Sequence, residues 1–124
     1  IVERSGEHKD EFDIKKRGMM PLADAARLLI LDHFEADIQN TLERFEKLSE
    51  LEPNNKDIFD AAAESYAILM NHRAKNGLNN GDSGRFIDLK ELNKLEKQIL
   101  KNAFISIKEI QDMIEVRFQQ AYFH

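Results

Sequence analysis

The segment from Asp13 to Arg27, DIKKRGMMPLADAAR, carries side chains that could bind an anion. The three consecutive cations Lys15–Arg17 are followed by Gly18, and Pro21 stands where a helix would begin. Backbone amides at a helix N-terminus, with basic side chains nearby, favour anions such as phosphate. One interpretation is that this flexible basic loop contacts an anionic ligand. The alternative is a solvated linker, or one that pairs with carboxylates of another domain.

The helix that follows contains Asp24 and Arg27 within an otherwise apolar run. Such a helix is usually buried, and a buried charge must be paired or must serve a ligand. Because the two residues are three positions apart, their side chains can meet. One interpretation is a structural ion pair that fixes the helix to its neighbours. In the other, Arg27 contacts an acceptor group through its planar donor fork while Asp24 orients it.

Two further arginines are candidates for ligand contacts. Arg44 follows Thr41 by about one helical turn, in a charged helix where an exposed arginine would be ordinary. Arg73 continues an apolar stripe that includes Leu69 and Met70. It therefore either emerges into solvent at the end of the helix or lines a cleft there.

The remaining polar residues predict no catalytic group and no metal ligand. The histidines show no spacing of three or four residues, which a helical metal site would require, and each is interpreted as a surface or packing residue: His8, His33, His72 and His124. Because no serine, histidine and carboxylate set stands out, nucleophilic catalysis is not supported. We predict that the chain alone has no catalytic residues.

Composition limits the class of protein. The 124 residues suffice for one domain, with 42% hydrophobic and 33% charged residues. The absence of cysteine excludes disulfides and thiolate metal sites, and the net charge of -5 argues against general nucleic-acid binding. With no signal-peptide pattern and no apolar run of membrane-spanning length, we expect a cytoplasmic protein without nucleic-acid or membrane partners.

Apolar periodicity predicts helices throughout, apart from a short extended piece around Phe12 to Ile14. The first predicted helix covers Pro21–Phe34 and has apolar residues on all sides, and the second is capped by Asn40 and ends before Pro53. A third helix is capped by Asn55 and is followed by a loop over Asn76–Arg85. A short turn capped by Asp88 then precedes a long helix over Lys94–Gln120.

These elements predict an all-α fold: an antiparallel four-helix bundle with a short extra helical turn before the last long helix. Residues 1–19 are interpreted as a linker or the tail of a preceding domain, and residues 20–124 as the bundle. The chain begins with Ile1 rather than Met, which we interpret as a fragment of something longer or a processed product.

Four blocks of the chain resemble one known family. They are DIKKRGMMPLADAAR, NTLERFEKL (Asn40–Leu48), MNHR (Met70–Arg73) and FIDLKELNKLEKQILKNAF (Phe86–Phe104). In this order they resemble the C-terminal substrate-binding domain of bacterial nucleotidyltransferase-like signal-transduction proteins that also carry CBS regulatory domains. The resemblance spans about Asp13 to Phe118.

The resemblance implies a helical domain that packs against a nucleotidyltransferase domain and helps to close the active site over an acceptor. The transferase would need a Gly-Ser turn and an Asp-x-Asp metal pair, and this sequence contains neither. Mg²⁺ and a nucleoside triphosphate are therefore implied only for a separate catalytic domain, and no cofactor is expected in this chain. The expected partners are the nucleotidyltransferase and CBS domains of the same polypeptide, with an unknown acceptor.

The predicted substrate-binding residues are Lys15, Arg17, Asp24, Arg27, Arg44 and Arg73. The resemblance supports Lys15, which falls on a recurring position of the family, and Arg44, which matches the family pattern. A second hypothesis is a helical docking or dimerisation module without a ligand, which could form a homodimer. Its mark would be a broad apolar surface rather than a polar cleft. The third, an independent enzyme, has no catalytic set to support it.

Overall fold

The structure is a computed structural model that describes residues 2–123, with side chains described through Gln119. Four α-helices and a two-stranded antiparallel sheet make up its main elements: β1 (Phe12–Asp13), α1 (Met20–Asp32), α2 (Thr41–Leu51), α3 (Lys56–Asn80), β2 (Phe86–Ile87) and α4 (Lys94–Phe123). The mostly helical prediction is confirmed. The predicted extra turn before the last helix is also confirmed, as a 3₁₀ turn over Leu89–Glu91. The sheet departs from the all-α prediction.

The four helices enclose one apolar core. α1 packs against α2 and α4, and α3 packs against the same two helices, so the pairwise contacts close a ring. Removing apolar side chains from water drives this packing. The largest fully buried side chains come from all four helices and β1, and they include Phe12, Phe45, Phe59, Leu22, Leu29, Leu48, Leu69 and Ile110.

No helix in the described part of the chain has the length and apolar character needed to cross a membrane.

The basic segment before α1 is helical, so the prediction of a flexible loop is wrong. Lys15–Met19 form a π-helical turn in which the amide of Met20 donates to the carbonyl oxygen of Lys15. Gly18 is buried there, and an added Cβ would lie 3.2 Å from Cδ1 of Leu69 on α3. The glycine therefore allows the turn to pack closely against α3, rather than making the segment flexible.

Helix α1 is amphipathic rather than buried on all sides. Its buried residues include Leu22, Ala26 and Leu29, whereas Leu28 and Leu31 are 43% and 49% exposed. This spacing of three and four residues places one face toward the core. The prediction that this helix is buried on all sides is therefore wrong.

The end of α3 also differs from the prediction, because the helix continues to Asn80 through most of the predicted loop. It ends at Gly81, which has a left-handed backbone with φ of 67°. The chain then folds back over the helix, and a Cβ on Gly77 would lie 2.7 Å from the carbonyl oxygen of Asp82. The side-chain amide of Asn76 donates to the carbonyl oxygens of Gly84 (3.0 Å) and Phe86 (2.9 Å), which fixes the returning chain.

Short-range capping signals have mixed outcomes. Asn40 and Asp88 accept hydrogen bonds from the backbone as predicted. Asn55 also stands at the N-cap position of α3 as predicted, but its side chain makes no capping hydrogen bond and instead donates to Oε1 of Glu52 at 2.9 Å. The extended piece predicted around Phe12 is confirmed as β1, whereas its partner strand β2 was not predicted.

Candidate functional site

A groove runs along the surface between the start of α1 and the middle of α4, and we call it the α1–α4 groove. It consists of two adjoining hollows of about 450 and 430 Å³ that share Lys16, Pro21 and Gln111. Arg17, Phe104, Ile107 and Lys108 complete the first hollow. Met20, Asp24, Ala25, Leu28, Ile114 and Glu115 complete the second.

Helical periodicity explains why these residues share one surface. On α4, Phe104, Lys108, Gln111 and Glu115 follow one another by steps of three or four, so they lie along one side of the helix. On the α1 side, the small side chain of Ala25 fills little of the space between the two helices. A depression with an apolar floor and a polar rim results.

The positive charge in the groove is concentrated at Lys16, which lines both hollows. Among the side chains described, no carboxylate lies within 4.0 Å of its ammonium group. The other two cations are paired: Arg17 lies 2.9 Å from the Glu3 carboxylate, and Lys108 Nζ lies 3.3 Å from Asp112. Exposed ion pairs of this kind contribute little free energy, so an anionic ligand can displace them. A ligand could contact Lys16 without first displacing a carboxylate of the described residues.

The groove contains two of the residues predicted to bind substrate, Arg17 and Asp24. Arg27 lies one turn further along α1, with its guanidinium group 4.0 Å from the Asp24 carboxylate. Both side chains of that pair are mostly exposed, at 60% for Arg27 and 65% for Asp24. The prediction that this charge is buried is therefore wrong. Lys15 is half-buried in the π-helical turn and is not among the residues that line the groove.

The other two predicted residues lie on different helices and bind the backbone of their own surroundings. Nε of Arg44 on α2 donates to the carbonyl oxygen of Ile38 at 2.7 Å. Nε of Arg73 on α3 donates to the carbonyl oxygen of Ser83 at 3.1 Å. In this structure Arg44 fixes the segment that leads into α2, and Arg73 fixes the turn that follows α3.

An ion pair between a buried carboxylate and a partly exposed arginine lies next to the groove and was not predicted. Asp13 on β1 is 2% exposed, and Arg85 donates to both of its carboxylate oxygens at 2.8 to 3.0 Å. Burial by itself would raise the pKa of the Asp13 carboxyl. The hydrogen bonds from Arg85 and from the Lys16 amide outweigh burial, so that this pKa lies below its ordinary value.

This ion pair changes the prediction of anion binding at a helix N-terminus. The backbone amide of Lys16, in the first turn of the helical segment, donates to Oδ1 of Asp13 at 3.0 Å. A carboxylate of the chain itself therefore takes the place that was predicted for a ligand anion. The Lys16 amide is therefore already occupied, whereas no described carboxylate pairs with the Lys16 side chain.

A second cluster was also missed, where the ends of α1 and α2 meet the distal part of α4. Arg117 donates to both carboxylate oxygens of Glu52, at 2.5 and 2.9 Å, and Nε2 of His33 lies 2.6 Å from Oε2 of the same carboxylate. Burial opposes ionisation of Glu52, but the hydrogen bonds from Arg117, His33 and Asn55 prevail and lower its pKa to about 2. The cluster therefore connects three helices through a carboxylate that is ionised at neutral pH.

Comparison with known families adds to this geometry. A family model described as "Putative nucleotidyltransferase substrate binding domain" matches residues 1–118 of this chain. The chain belongs to this family. No curated protein and no solved structure matches it.

The described residues were also compared with what a metal centre of a nucleotidyltransferase would need. Among residues 2–119, no group of three or more histidine, aspartate or glutamate side chains could hold a metal ion. Magnesium requires several oxygen ligands in an octahedral arrangement. The donor groups present therefore do not fit the magnesium ion that the family resemblance implies for nucleotidyl transfer.

Sequence spacing could not have identified the two missed clusters of this substrate-binding domain. Asp13 and Arg85 are 72 positions apart, and Glu52 and Arg117 are 65 apart. Lys16 belongs to the basic run but was not among the predicted substrate-binding residues, whereas Lys15 was. The difference between the two lysines in the structure depends on the π-helical turn, because the turn directs Lys16 toward α4.

Proposed function

We propose that this chain is an accessory domain that binds an acceptor and positions it for nucleotidyl transfer by a separate catalytic domain of the same polypeptide. The membership in a family of nucleotidyltransferase substrate-binding domains supports the reaction class. The proposal includes CBS domains in that polypeptide, a bacterial cytoplasmic setting and a role in signal transduction. We also propose that the four helices are arranged as a four-helix bundle, with the α1–α4 groove on its surface.

The observation that carries the proposal is the unpaired cation Lys16 at the centre of a groove with apolar walls. The apolar portion of an acceptor would contact Ile107 and Phe104, and its anionic group would contact Lys16. A domain that holds the acceptor in place converts a bimolecular reaction into an effectively unimolecular step. This accelerates the reaction even when the domain contributes no catalytic group. The domain thus contributes orientation.

The catalytic domain would supply Mg²⁺ and the nucleoside triphosphate. Metal ions stabilise the charge that develops on a transferring phosphoryl group. The residues of this chain would hold the acceptor, exclude water from the groove and leave the phosphate chemistry to the partner domain. The six residues predicted to bind substrate then divide, with Arg17 and Asp24 at the groove, Arg27 beside it, and Lys15, Arg44 and Arg73 outside it.

The test uses the complete gene product with an α-³²P-labelled nucleoside triphosphate and an extract of the source cells as the supply of acceptor. We expect Lys16→Glu to decrease acceptor labelling by about tenfold, as loss of one charged contact would. Nucleotide binding should be unchanged. Lys75→Glu, an exposed lysine on α3 outside the groove, is the matched control. Equal labelling by wild type and Lys16→Glu would contradict the proposal.

A docking or dimerisation module is the second candidate, and exposed apolar residues at the end of α1 favour it. Leu31 is 49% exposed and Phe34 is 95% exposed. If this surface mediates a homodimer, sedimentation velocity will show a concentration-dependent dimer that Phe34→Asp abolishes. A monomer at all concentrations would reject this candidate.

A further inference from the structure

A second cavity lies between the 3₁₀ turn Leu89–Glu91 and the first half of α4, and we call it the lysine-rimmed pocket. Its volume is about 340 Å³, within the range of pockets that bind small molecules. Phe12, Leu100 and Phe104 form its floor, and Leu89 and Leu92 form one wall. Of these residues, Phe104 alone also lines the α1–α4 groove.

The floor of the pocket is part of the protein core, so its shape is fixed by folding. Phe12 is fully buried on β1 and meets Phe104 edge to face, with ring centroids 5.3 Å apart and an interplanar angle of 73°. Leu100 is 4% exposed. Rigid apolar surfaces bind a ligand without the entropic cost of ordering a flexible site.

The rim of the pocket is basic. Lys97 and Lys101 are one turn apart on α4, and Lys90 lies in the 3₁₀ turn. Among the side chains that the structure describes, no carboxylate lies within 4.0 Å of any of these three ammonium groups. In contrast, Lys56 and Lys108 each pair with an aspartate four residues further along their helices. In a chain of net charge -5, three unpaired lysines around one apolar pocket form a local anion-attracting site.

We propose that the lysine-rimmed pocket binds a small amphipathic anion, with an apolar ring-sized body on the phenylalanine floor and a carboxylate, sulfonate or phosphate group at the lysines. The concave shape and small volume favour a small molecule over a protein surface, which would need a larger contact area. This site differs from the α1–α4 groove and does not depend on the proposed transferase role.

Fluorescence titration of the folded chain with two matched probes tests the site. 1-Anilinonaphthalene-8-sulfonate has an apolar body and an anionic group, whereas N-phenyl-1-naphthylamine has the same body without the charge. We expect the sulfonate probe to bind saturably. The double variant Lys97→Gln/Lys101→Gln should weaken its binding by about tenfold or more. The uncharged probe should bind both proteins with nearly equal affinity.

Two control variants separate this site from general effects of charge and from the groove. Lys94→Gln removes an exposed lysine of α4 that does not line the pocket, and Lys16→Glu alters the groove. Lys94→Gln should retain wild-type affinity for the sulfonate probe, and in Lys16→Glu the binding that depends on Lys97 and Lys101 should persist. Circular dichroism should show an unchanged helical content in both variants. Non-saturable binding, equal losses for the two probes, or the same loss in Lys94→Gln would overturn the proposal. A loss confined to Lys16→Glu would place the probe in the groove and would also overturn it.

Discussion

At the scale of single residues, the described charged side chains differ in how much they contribute to the stability of the fold. Asp13 is nearly inaccessible to solvent and accepts hydrogen bonds from Arg85 and from a backbone amide. Asp24 is mostly exposed and lies 4.0 Å from its partner Arg27. A buried carboxylate that loses its partners retains the full cost of its desolvation, whereas an exposed one returns to water. The first aspartate should therefore stabilise the fold and the second should not.

The variants Asp13→Asn and Asp24→Asn form a matched pair for this difference. We expect Asp13→Asn to decrease the free energy of unfolding by about 2 kcal/mol, since charged hydrogen bonds to Arg85 are lost. Asp24→Asn should change it by less than about 0.5 kcal/mol. Urea denaturation followed by circular dichroism measures both. Equal effects of the two substitutions would contradict the ranking.

The Glu52 carboxylate predicts how stability depends on pH. Its pKa is lowered from 4.5 to about 2 by Arg117, His33 and Asn55, despite the opposing effect of burial. A carboxyl whose pKa is lower in the folded state stabilises the protein fully above its unfolded pKa. That stabilisation is lost as the pH falls through the folded pKa. The relevant window is therefore from about pH 4.5 down to about 2.

Glu52→Gln should accordingly decrease stability by about 3 kcal/mol at pH 7, and the difference from wild type should shrink toward zero as the pH falls to about 2. Denaturant unfolding at a series of pH values measures this difference. Glu46→Gln, an exposed residue of the same helix, should follow the wild-type curve at every pH. A difference that is independent of pH would refute the assigned ionic role of Glu52.

At the scale of elements, the parts that could be predicted from the sequence are those whose partners lie close along the chain. The caps at Asn40 and Asp88 connect residues two or three positions apart, and both were predicted. The strand β2 pairs with β1 across more than seventy residues, and no local pattern indicates its position. Tertiary contacts decide such elements, because long-range pairing depends on how the helices between them pack.

The glycines after residue 76 show a second reason for error. Glycine usually indicates a loop, yet Gly77 lies within α3 because the returning chain passes close to its Cα atom. The same returning chain brings Gly84 against α3, where a Cβ would lie 1.9 Å from the carbonyl oxygen of Arg73. Close approach, rather than flexibility, explains these two glycines.

Gly81→Ala and Gly84→Ala separate the two effects. Both glycines have positive φ, 67° and 72°, but an added Cβ at Gly81 meets nothing within 4 Å. Gly81→Ala should decrease stability by about 1–2 kcal/mol through backbone strain alone. Gly84→Ala adds a steric overlap and should decrease it clearly more. Thermal unfolding would contradict this explanation if the two midpoints decreased equally.

At the scale of the whole molecule, α4 contributes residues to the apolar core and to both candidate sites. Its buried residues Leu100, Ala103 and Ile110 face the other helices. A neighbouring stripe lines first the lysine-rimmed pocket and then the α1–α4 groove: Lys97, Lys101, Phe104, Lys108 and Gln111. Because the polar members of this stripe are exposed, they can be replaced without disturbing the core. The binding surfaces can therefore be tested separately from the fold.

The central proposal is that this domain positions an acceptor for chemistry carried out by another domain. The most direct measurement is label transfer from an α-³²P-labelled nucleoside triphosphate to acceptor in a cell extract. It compares three proteins: the complete gene product, the same product lacking this domain, and the 124-residue chain alone. We predict transfer by the complete product, loss of acceptor labelling with retained nucleotide binding when the domain is deleted, and no transfer by the chain alone. Transfer by the isolated chain, or undiminished labelling without it, would contradict the proposal.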